Sequence, residues 1–347
     1  MSDSVLPTAT IGRHGLEITK LAFGCVPLGN YPEPLGEEEA QATVKRAHEL
    51  GIRYFDVAPL YGHGLAEHRL GAVLRGYERE GFTVSTKVGR LLKAAPDRAL
   101  KGDPSAGIFA DPLPFSLVND YSHDGIMRSV EDSLQRLGLA SLDILHIHNI
   151  DPANHAADAL EELFRKCMSE GYRALERLRD EGVVKALGVG NNSLEMCARF
   201  AREGDFDCFM MAGHLHLLDQ AAAECFLPEC ERRGIKILLG SPFASGLLVS
   251  KNPQDARYMY GKPSREVLQR LERVRNICAA HGVSMTAAAI QFPLLHPAVA
   301  TIVPGMRSVA EVEDCVASFN APVPLALYQE LQDEGIITPA LSLGEAA

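Results

Sequence analysis

The sequence predicts a (β/α)8 TIM barrel built as a single α/β domain over residues 1–347. Three observations carry that expectation: eight short β-rich apolar runs, longer amphipathic segments between them, and a length suited to one large core. The runs are LAFGC (21–25), IRYFDV (52–57), FTVSTK (82–87), LDILHIH (142–148), KALGVG (185–190), FDCFMM (206–211), IKILLG (235–240) and VATIV (299–303). Several are continuously apolar rather than alternating, as expected of parallel strands covered on both faces. Among the helix-like segments, 37–51 sets Ala40, Val44, Ala47 and His48 on one face and stops at Gly51. The others are 124–138, 159–182, 193–204, 265–282 and 309–319, each ending near Gly or Asn. This alternation fits a closed barrel better than an open doubly wound sheet, and in a barrel the chemistry sits at the C-terminal ends of the strands.

Two long segments interrupt the alternation on that same side. Residues 91–121, rich in Pro, Gly and Asp, follow the third strand, and residues 246–263, with Tyr258 and Tyr260, follow the seventh. A lid or pocket wall is one reading of each, and an ordered surface insertion is the other.

Composition narrows the function. With 34 Lys+Arg against 45 Asp+Glu the formal charge is −11, which repels phosphate backbones, and Trp is absent. A small-molecule substrate is therefore expected, and no nucleic acid. At 46% hydrophobic and 23% charged residues the chain is neither disordered nor fibrous. No apolar run approaches the ~20 residues that span a bilayer; the most apolar stretch, 285–303, is broken by Gln291, Pro293, His296 and Pro297. The N-terminus lacks a basic start and an apolar core of a signal peptide. Eight scattered cysteines without C-x-x-C read as buried reduced thiols, and Cys225 and Cys230, five apart in one expected helix, share no face for a metal. A cytoplasmic protein off the membrane, monomeric or weakly homo-oligomeric, is the expectation.

Four polar residues fall at expected strand ends. Asp56 ends the second strand, Tyr61 follows in its loop, Lys87 ends the third strand and His148 the fourth. Together they make a proton-transfer site. A free Tyr, with a pKa of ~10, is a poor acid or base near neutrality. A neighbouring ammonium favours the phenolate, a carboxylate keeps that ammonium charged, and an imidazole orients a substrate oxygen. Singly, each has an ordinary structural reading; four at three successive strand ends are harder to set aside.

The segment GIRYFDVAPLYGHGLAEHRLG (51–71), with D-x-A-x-x-Y-G and then E-x-x-L-G, resembles the signature of the aldo-keto reductases. The likeness continues in order through VSTKVG (84–89), DILHIHN (143–149), GVGNN (188–192), SPFASGLL (241–248) and VPGMRS (303–308), from Ile11 to about Asn320. It implies Tyr61 as general acid/base, Lys87 and Asp56 as partners tuning its pKa, and His148 as the substrate-orienting group. Within the family, STKVGR and DYSHDGIMRSVEDSLQRLGL resemble the branch that oxidises sugars at the anomeric carbon, such as L-fucose, D-arabinose or L-galactose, together with the pyridoxal 4-dehydrogenase type. A cyclic hemiacetal going to a lactone is the implied reaction; pyridoxal going to 4-pyridoxolactone, or general aldehyde and ketone reduction, are the alternatives.

Hydride chemistry needs a carrier, because no side chain here does redox chemistry on carbon. A-L-G-V-G-N-N (186–192) is not a dinucleotide fingerprint and reads more simply as a tight strand–helix turn. The pyrophosphate is expected on backbone N–H groups of the loop 241–247, with Ser241, Pro242, Phe243, Gly246 and Leu247, and on the helix start after Pro304. By the resemblance, Asn191 grips the nicotinamide amide, while Gly305, Arg307, Ser308 and Glu311 form the adenosine site. Glu311, with Glu313 and Asp314 nearby, leads us to expect NAD in preference to NADP, whose 2′-phosphate is usually met by Arg or Lys. The chain also departs from the family pattern: Gly190 precedes Asn191 where Ser is common, Gly240 stands where an aromatic often stacks, and AGHLHLLDQ (212–220) brings in His214 and His216.

Two rival readings remain at this point. His146-x-His148 suggests a metal-dependent hydrolase, since alternate strand residues face one side, but Lys87 beside them would repel a cation and no metal is expected. A non-catalytic cofactor-binding subunit on the same barrel is disfavoured by the complete Asp56, Tyr61, Lys87 and His148 set.

Overall fold

A computed structural model describes residues 6–95, 107–258, 261–341 and 343. The chain opens with an antiparallel hairpin of β1 (Thr8–Ile11) and β2 (Leu16–Thr19). Then come β3 (Phe23–Gly24), β4 (Tyr54–Asp56) and β5 (Thr83–Val88), a second hairpin of β6 (Arg90–Ala94) and β7 (Phe115–Asn119), and five more strands. These are β8 (Ile144–His148), β9 (Ala186–Gly190), β10 (Cys208–Ala212), β11 (Lys236–Gly240) and β12 (Val299–Val303). Eight of them form one parallel sheet in the order β3, β4, β5, β8, β9, β10, β11, β12. The ends meet: Ala22 N donates to Ile302 O and Gly24 N to Pro304 O, each at 2.9 Å, so the sheet closes into a barrel. All eight runs expected as strands lie in it. Strands β4, β5, β8, β9 and β12 are buried at every residue, which is why their sequences carry no alternation.

The outer ring contains α1 (Glu37–Glu49), α2 (Leu65–Leu74), α3 (His123–Leu137), α4 (Ala157–Lys166), α5 (Tyr172–Asp180) and α6 (Leu194–Glu203). It continues through α7 (Ala221–Cys225), α8 (Leu227–Arg233), α9 (Arg265–Ala280), α10 (Met285–Gln291), α11 (Val309–Asn320) and α12 (Leu325–Asp333). In α1, Ala40, Val44 and Ala47 are buried as expected, while His48 stays half-exposed and stacks on Tyr77 with ring centroids 3.7 Å apart. Two expectations are corrected. The single helix over 159–182 is divided into α4 and α5 by a π-helical turn, Cys167–Gly171. Cys225 and Cys230 lie on two helices, not one, with the break at Phe226 and a Pro in the first turn of α8. All eight cysteines are free, and every one except Cys225 is buried.

The β1–β2 hairpin plugs the barrel at the N-terminal ends of its strands. Ile11 and Ile18 pack with Ala22, Tyr54, Ile144, Ala186, Cys208 and Ala300, which lie at or near the starts of their strands. Beneath them Arg179, 1% exposed, donates to the Asp207 carboxylate at 2.9 Å, and that carboxylate also accepts from the backbone N of Leu187 and of Arg13. The buried ion pair therefore staples the plug's turn to the barrel floor. Among the described residues no single helix is long and apolar enough to cross a membrane. Truncating Ile18 to Ala should cost about 2–5 kcal/mol of stability through the cavity it leaves. Urea denaturation would read that loss, and kcat at low temperature should be unchanged because the plug lies at the end opposite the polar cluster.

Candidate active site

Adjacent strands β4, β5 and β8 deliver polar residues to one end of the barrel: Asp56 is the last residue of β4, Lys87 the penultimate of β5 and His148 the last of β8. Tyr61 comes from the loop after β4. That loop lies against the turn at Gly29, where a Cβ would stand 2.5 Å from Gly62 N and Tyr61 C, so only glycine lets the two segments touch.

Asp56 and Lys87 are each 3% exposed. Lys87 Nζ donates to Asp56 Oδ2 at 2.7 Å and to Val57 O at 3.1 Å. Ser85 Oγ donates to Asp56 Oδ1 at 2.7 Å and also bonds the Tyr54 hydroxyl at 2.9 Å. Two charges at this depth are tolerable because they are paired and their remaining lone pairs and protons are bonded. Burial alone would push the Lys87 ammonium down, but the Asp56 carboxylate and Tyr61 outweigh it and hold the lysine above its ordinary value.

Lys87 Nζ stands 4.8 Å from the centroid of the Tyr61 ring, and that ring meets His148 edge-on with centroids 6.5 Å apart. Here one expectation changes sign. Burial raises the Tyr61 phenol; Lys87 lowers it, Asp56 raises it again, and the net result lies above the ordinary value of 10. The ammonium acts in the expected direction, yet desolvation of the phenolate is the larger effect, so Tyr61 is a neutral phenol near pH 7. His148 is held well below 6.5 by burial, then by Arg90, Lys87 and His146, so it is a neutral imidazole, with a buried Nδ1 that has no partner among the described residues. His146 is likewise neutral, pushed down by burial and then by Lys87, and neither ring nitrogen has such a partner. Its ring occupies the space above Gly188, where a Cβ would meet Nδ1 at 2.4 Å. Gly188 thus makes room inside the barrel, while the run goes on into the tight strand–helix turn expected of it, β9 ending at Gly190 and α6 starting at Leu194. Among the described residues, no three His, Cys, Asp or Glu converge as a metal site.

The first long segment folds in part as the β6–β7 hairpin, and residues 96–106 of it lie outside the described residues. Its Phe109, buried, stands between Tyr31 and Tyr61 at centroid distances of 6.0 and 6.3 Å. Sequence reasoning missed both Tyr31 and Phe109, because no motif or period marks them. In the second segment Tyr258 faces His216 at 6.2 Å, and Tyr260 lies outside the described residues. His214 and His216 tie down the loop after β10. His214 bonds Asp219 at 3.0 Å and Asn192 O at 3.1 Å, and the Asp219 bond raises its pKa. His216, buried, accepts from Leu218 N, and burial brings it down to about 4.

Asn191 follows β9 directly; its amide donates to Ile150 O at 3.0 Å and its carbonyl accepts from Ser193 N at 2.9 Å. Ser241, Pro242, Phe243, Gly246 and Leu247 follow β11 at Gly240, and Ser241, Ala244, Ser245 and Gly246 have left-handed backbones. The expected open row of amides is corrected: the N–H groups of residues 244–249 all donate within the loop and close its own turns. Gly305 bridges to Gly24 past the end of β12. Ser308 caps α11, its Oγ accepting from Glu311 N at 3.2 Å, while a Glu311 carboxylate oxygen accepts from Arg307 N at 2.7 Å. The Arg307 guanidinium faces Glu33 at 3.5 Å and Pro34 O at 3.3 Å, and Glu313 pairs with Arg46 on α1. A nicotinamide dinucleotide suits the donors present at the barrel mouth: the second amide hydrogen of Asn191, the partly exposed Arg307 and the Ser308 helix start.

The model of the aldo/keto reductase family matches residues 20–333. The chain is 39% identical over 324 residues to D-threo-aldose 1-dehydrogenase of a Pseudomonas species, covering 93% of this chain and 96% of the relative. It is 36% identical over 334 residues to pyridoxal 4-dehydrogenase of Microbacterium luteolum, covering 94% and 97%. Among solved structures, the holo form of an aldo-keto reductase from Bacillus halodurans superposes with a TM-score of 0.73 at 25% identity, covering 99% of this chain and 97% of that one. The chain therefore belongs to the aldo/keto reductase family and is an NAD(P)-dependent oxidoreductase.

Proposed function

We propose that the protein oxidises a cyclic hemiacetal at its anomeric carbon to a lactone, with NAD as the preferred cofactor. The observation that carries the reading is the buried Lys87–Asp56 pair under the Tyr61 ring, with neutral His148 edge-on to it. The two relatives named for aldose and for pyridoxal oxidation support the substrate class, since both kinds of molecule close to hemiacetals. His148, neutral, bonds the reacting oxygen and fixes it beside the Tyr61 hydroxyl. Tyr61 exchanges the proton of that oxygen: as phenolate it takes the proton of the anomeric hydroxyl, as phenol it returns one to a carbonyl. Lys87 stabilises the phenolate, and Asp56 keeps Lys87 charged and in place. When bound, the nicotinamide supplies the hydride acceptor. Asn191 holds its amide, the loop 241–247 and Gly305 flank the pyrophosphate, and Arg307, Ser308 and Glu311 meet the adenosine.

Because the Tyr61 phenol lies above its ordinary value, oxidation should speed up as pH rises through the neutral and alkaline range, while carbonyl reduction should hold level until the pH nears that of the phenol's ionisation. A panel of L-fucose, D-arabinose, L-galactose and pyridoxal with NAD, followed by reduced-nicotinamide absorbance, tests the substrate class; turnover of none of them would sink it. Tyr61→Phe keeps the ring and deletes the proton, so kcat should fall by about 10²–10⁴-fold while cofactor still binds. Comparable turnover in that variant would remove Tyr61 from its role.

The NAD preference rests on charge at the start of α11. Glu311 occupies the Arg307 backbone amide and Arg307 itself faces Glu33, so a 2′-phosphate would arrive among carboxylates. The kcat/KM ratio of NAD to NADP should exceed one, and Glu311→Gln should lower it. A wild-type preference for NADP, or no change in the variant, would contradict this assignment.

A further inference from the structure

We propose that Arg90 is a positioning residue for the reaction, clamping the end of β8 behind His148 and setting the charge state of that imidazole. This deepens the reading of His148 as the substrate-orienting group and rests on it.

Arg90 opens β6 and is 3% exposed, yet among the described residues no carboxylate lies within 4.0 Å of its guanidinium. Buried arginines are normally paired, and an uncompensated one is costly. Its Nη2 donates to Asn154 Oδ1 at 3.0 Å and reaches Asn149 O at 3.4 Å, and its Nε has no partner. Asn149 is the residue after His148. It sits in a left-handed backbone with φ 40° and donates its N–H to Gly190 O at 2.8 Å. Asn154 is fixed in turn by Asp151, whose Oδ1 accepts from its side chain at 2.7 Å and its backbone at 3.0 Å. The Tyr121 hydroxyl, itself beside Arg90, donates to His148 O at 2.5 Å. The last turn of chain that aims the imidazole is thus held by Arg90 and Tyr121, neither of which belongs to the four residues at the strand ends.

The charge matters as much as the bonds. The groups facing His148 are Arg90 from β6, Lys87 from β5, His146 on β8 itself, and Tyr61 from the loop after β4. Lys87 has its own counterion in Asp56, and His146 and Tyr61 are neutral. No carboxylate bonds Arg90 directly, the buried Asp151 reaching it only through Asn154, and a guanidinium cannot lose its proton, so its charge bears on the imidazole. After burial itself, Arg90 is the largest influence holding His148 down. A neutral imidazole keeps one N–H donor for the substrate oxygen without adding charge beside the phenol that must ionise.

The test is a histidine NMR titration of the ligand-free protein, wild type against Arg90→Gln and Arg90→Lys. Gln keeps a hydrogen-bonding side chain without the charge, and Lys keeps the charge without the fork. In the wild type and in Arg90→Lys, His148 should remain neutral from pH 7 down to about pH 5. In Arg90→Gln its titration should move up by about one pH unit or more. The acid limb of kcat/KM should follow it, while the alkaline limb set by Tyr61 stays in place. An unmoved His148 titration in Arg90→Gln, or an equal movement in Arg90→Lys, would overturn the proposal. The titration needs no substrate, so it fails or succeeds independently of the lactol reading.

Discussion

The Lys87–Asp56 ion pair is the constraint on which the rest of this site depends. A lysine at 3% exposure would ordinarily lose its proton. It keeps that proton because Asp56 lies 2.7 Å away and is itself held by Ser85, which leans on Tyr54. That chain of bonds runs from β4 to β5 inside the barrel, so the charge under Tyr61 is fixed by strand register rather than by a mobile side chain. Removing either partner would strand the other, and it would also remove the charge that makes the phenol ionisable at all.

The barrel separates stability from chemistry along its axis. At the N-terminal ends of the strands an apolar plug and the Arg179–Asp207 pair close the floor. At the other end polar groups are left incompletely bonded: His148 Nδ1, both nitrogens of His146 and Arg90 Nε have no partner among the described residues. Buried groups in that condition are expensive. Those around His148 lie where a barrel does its chemistry, toward the C-terminal ends of the strands.

The barrel was readable because its strands are buried on both faces and end at motif residues, so short apolar runs ending in Asp56, Lys87 and His148 mark the polar rim of the candidate site directly. The two hairpins were not readable in this way. β1–β2 is short and partly exposed, and β6–β7 is separated by twenty residues of irregular composition. Helix α2 escaped because it buries Glu67 and Arg69, which blurs its apolar stripe. The site itself was legible in residue identity but not in energetics. Lys87 beside Tyr61 correctly gives the direction of its own influence, yet only the packing reveals that burial outweighs it. Likewise Glu311 reads as a free carboxylate in sequence, while in the fold it is engaged with the Arg307 amide and the Ser308 cap.

The central claim is that a buried, paired ammonium governs the ionisation of Tyr61 against the cost of desolvation. The most direct measurement is an NMR titration of ¹³Cζ-labelled tyrosine in wild type and Lys87→Met, without substrate or cofactor. The account predicts that Tyr61 titrates above the ordinary value of 10 in the wild type and higher still once Lys87 is removed. A wild-type value below 10, or one that Lys87→Met leaves in place, would contradict it.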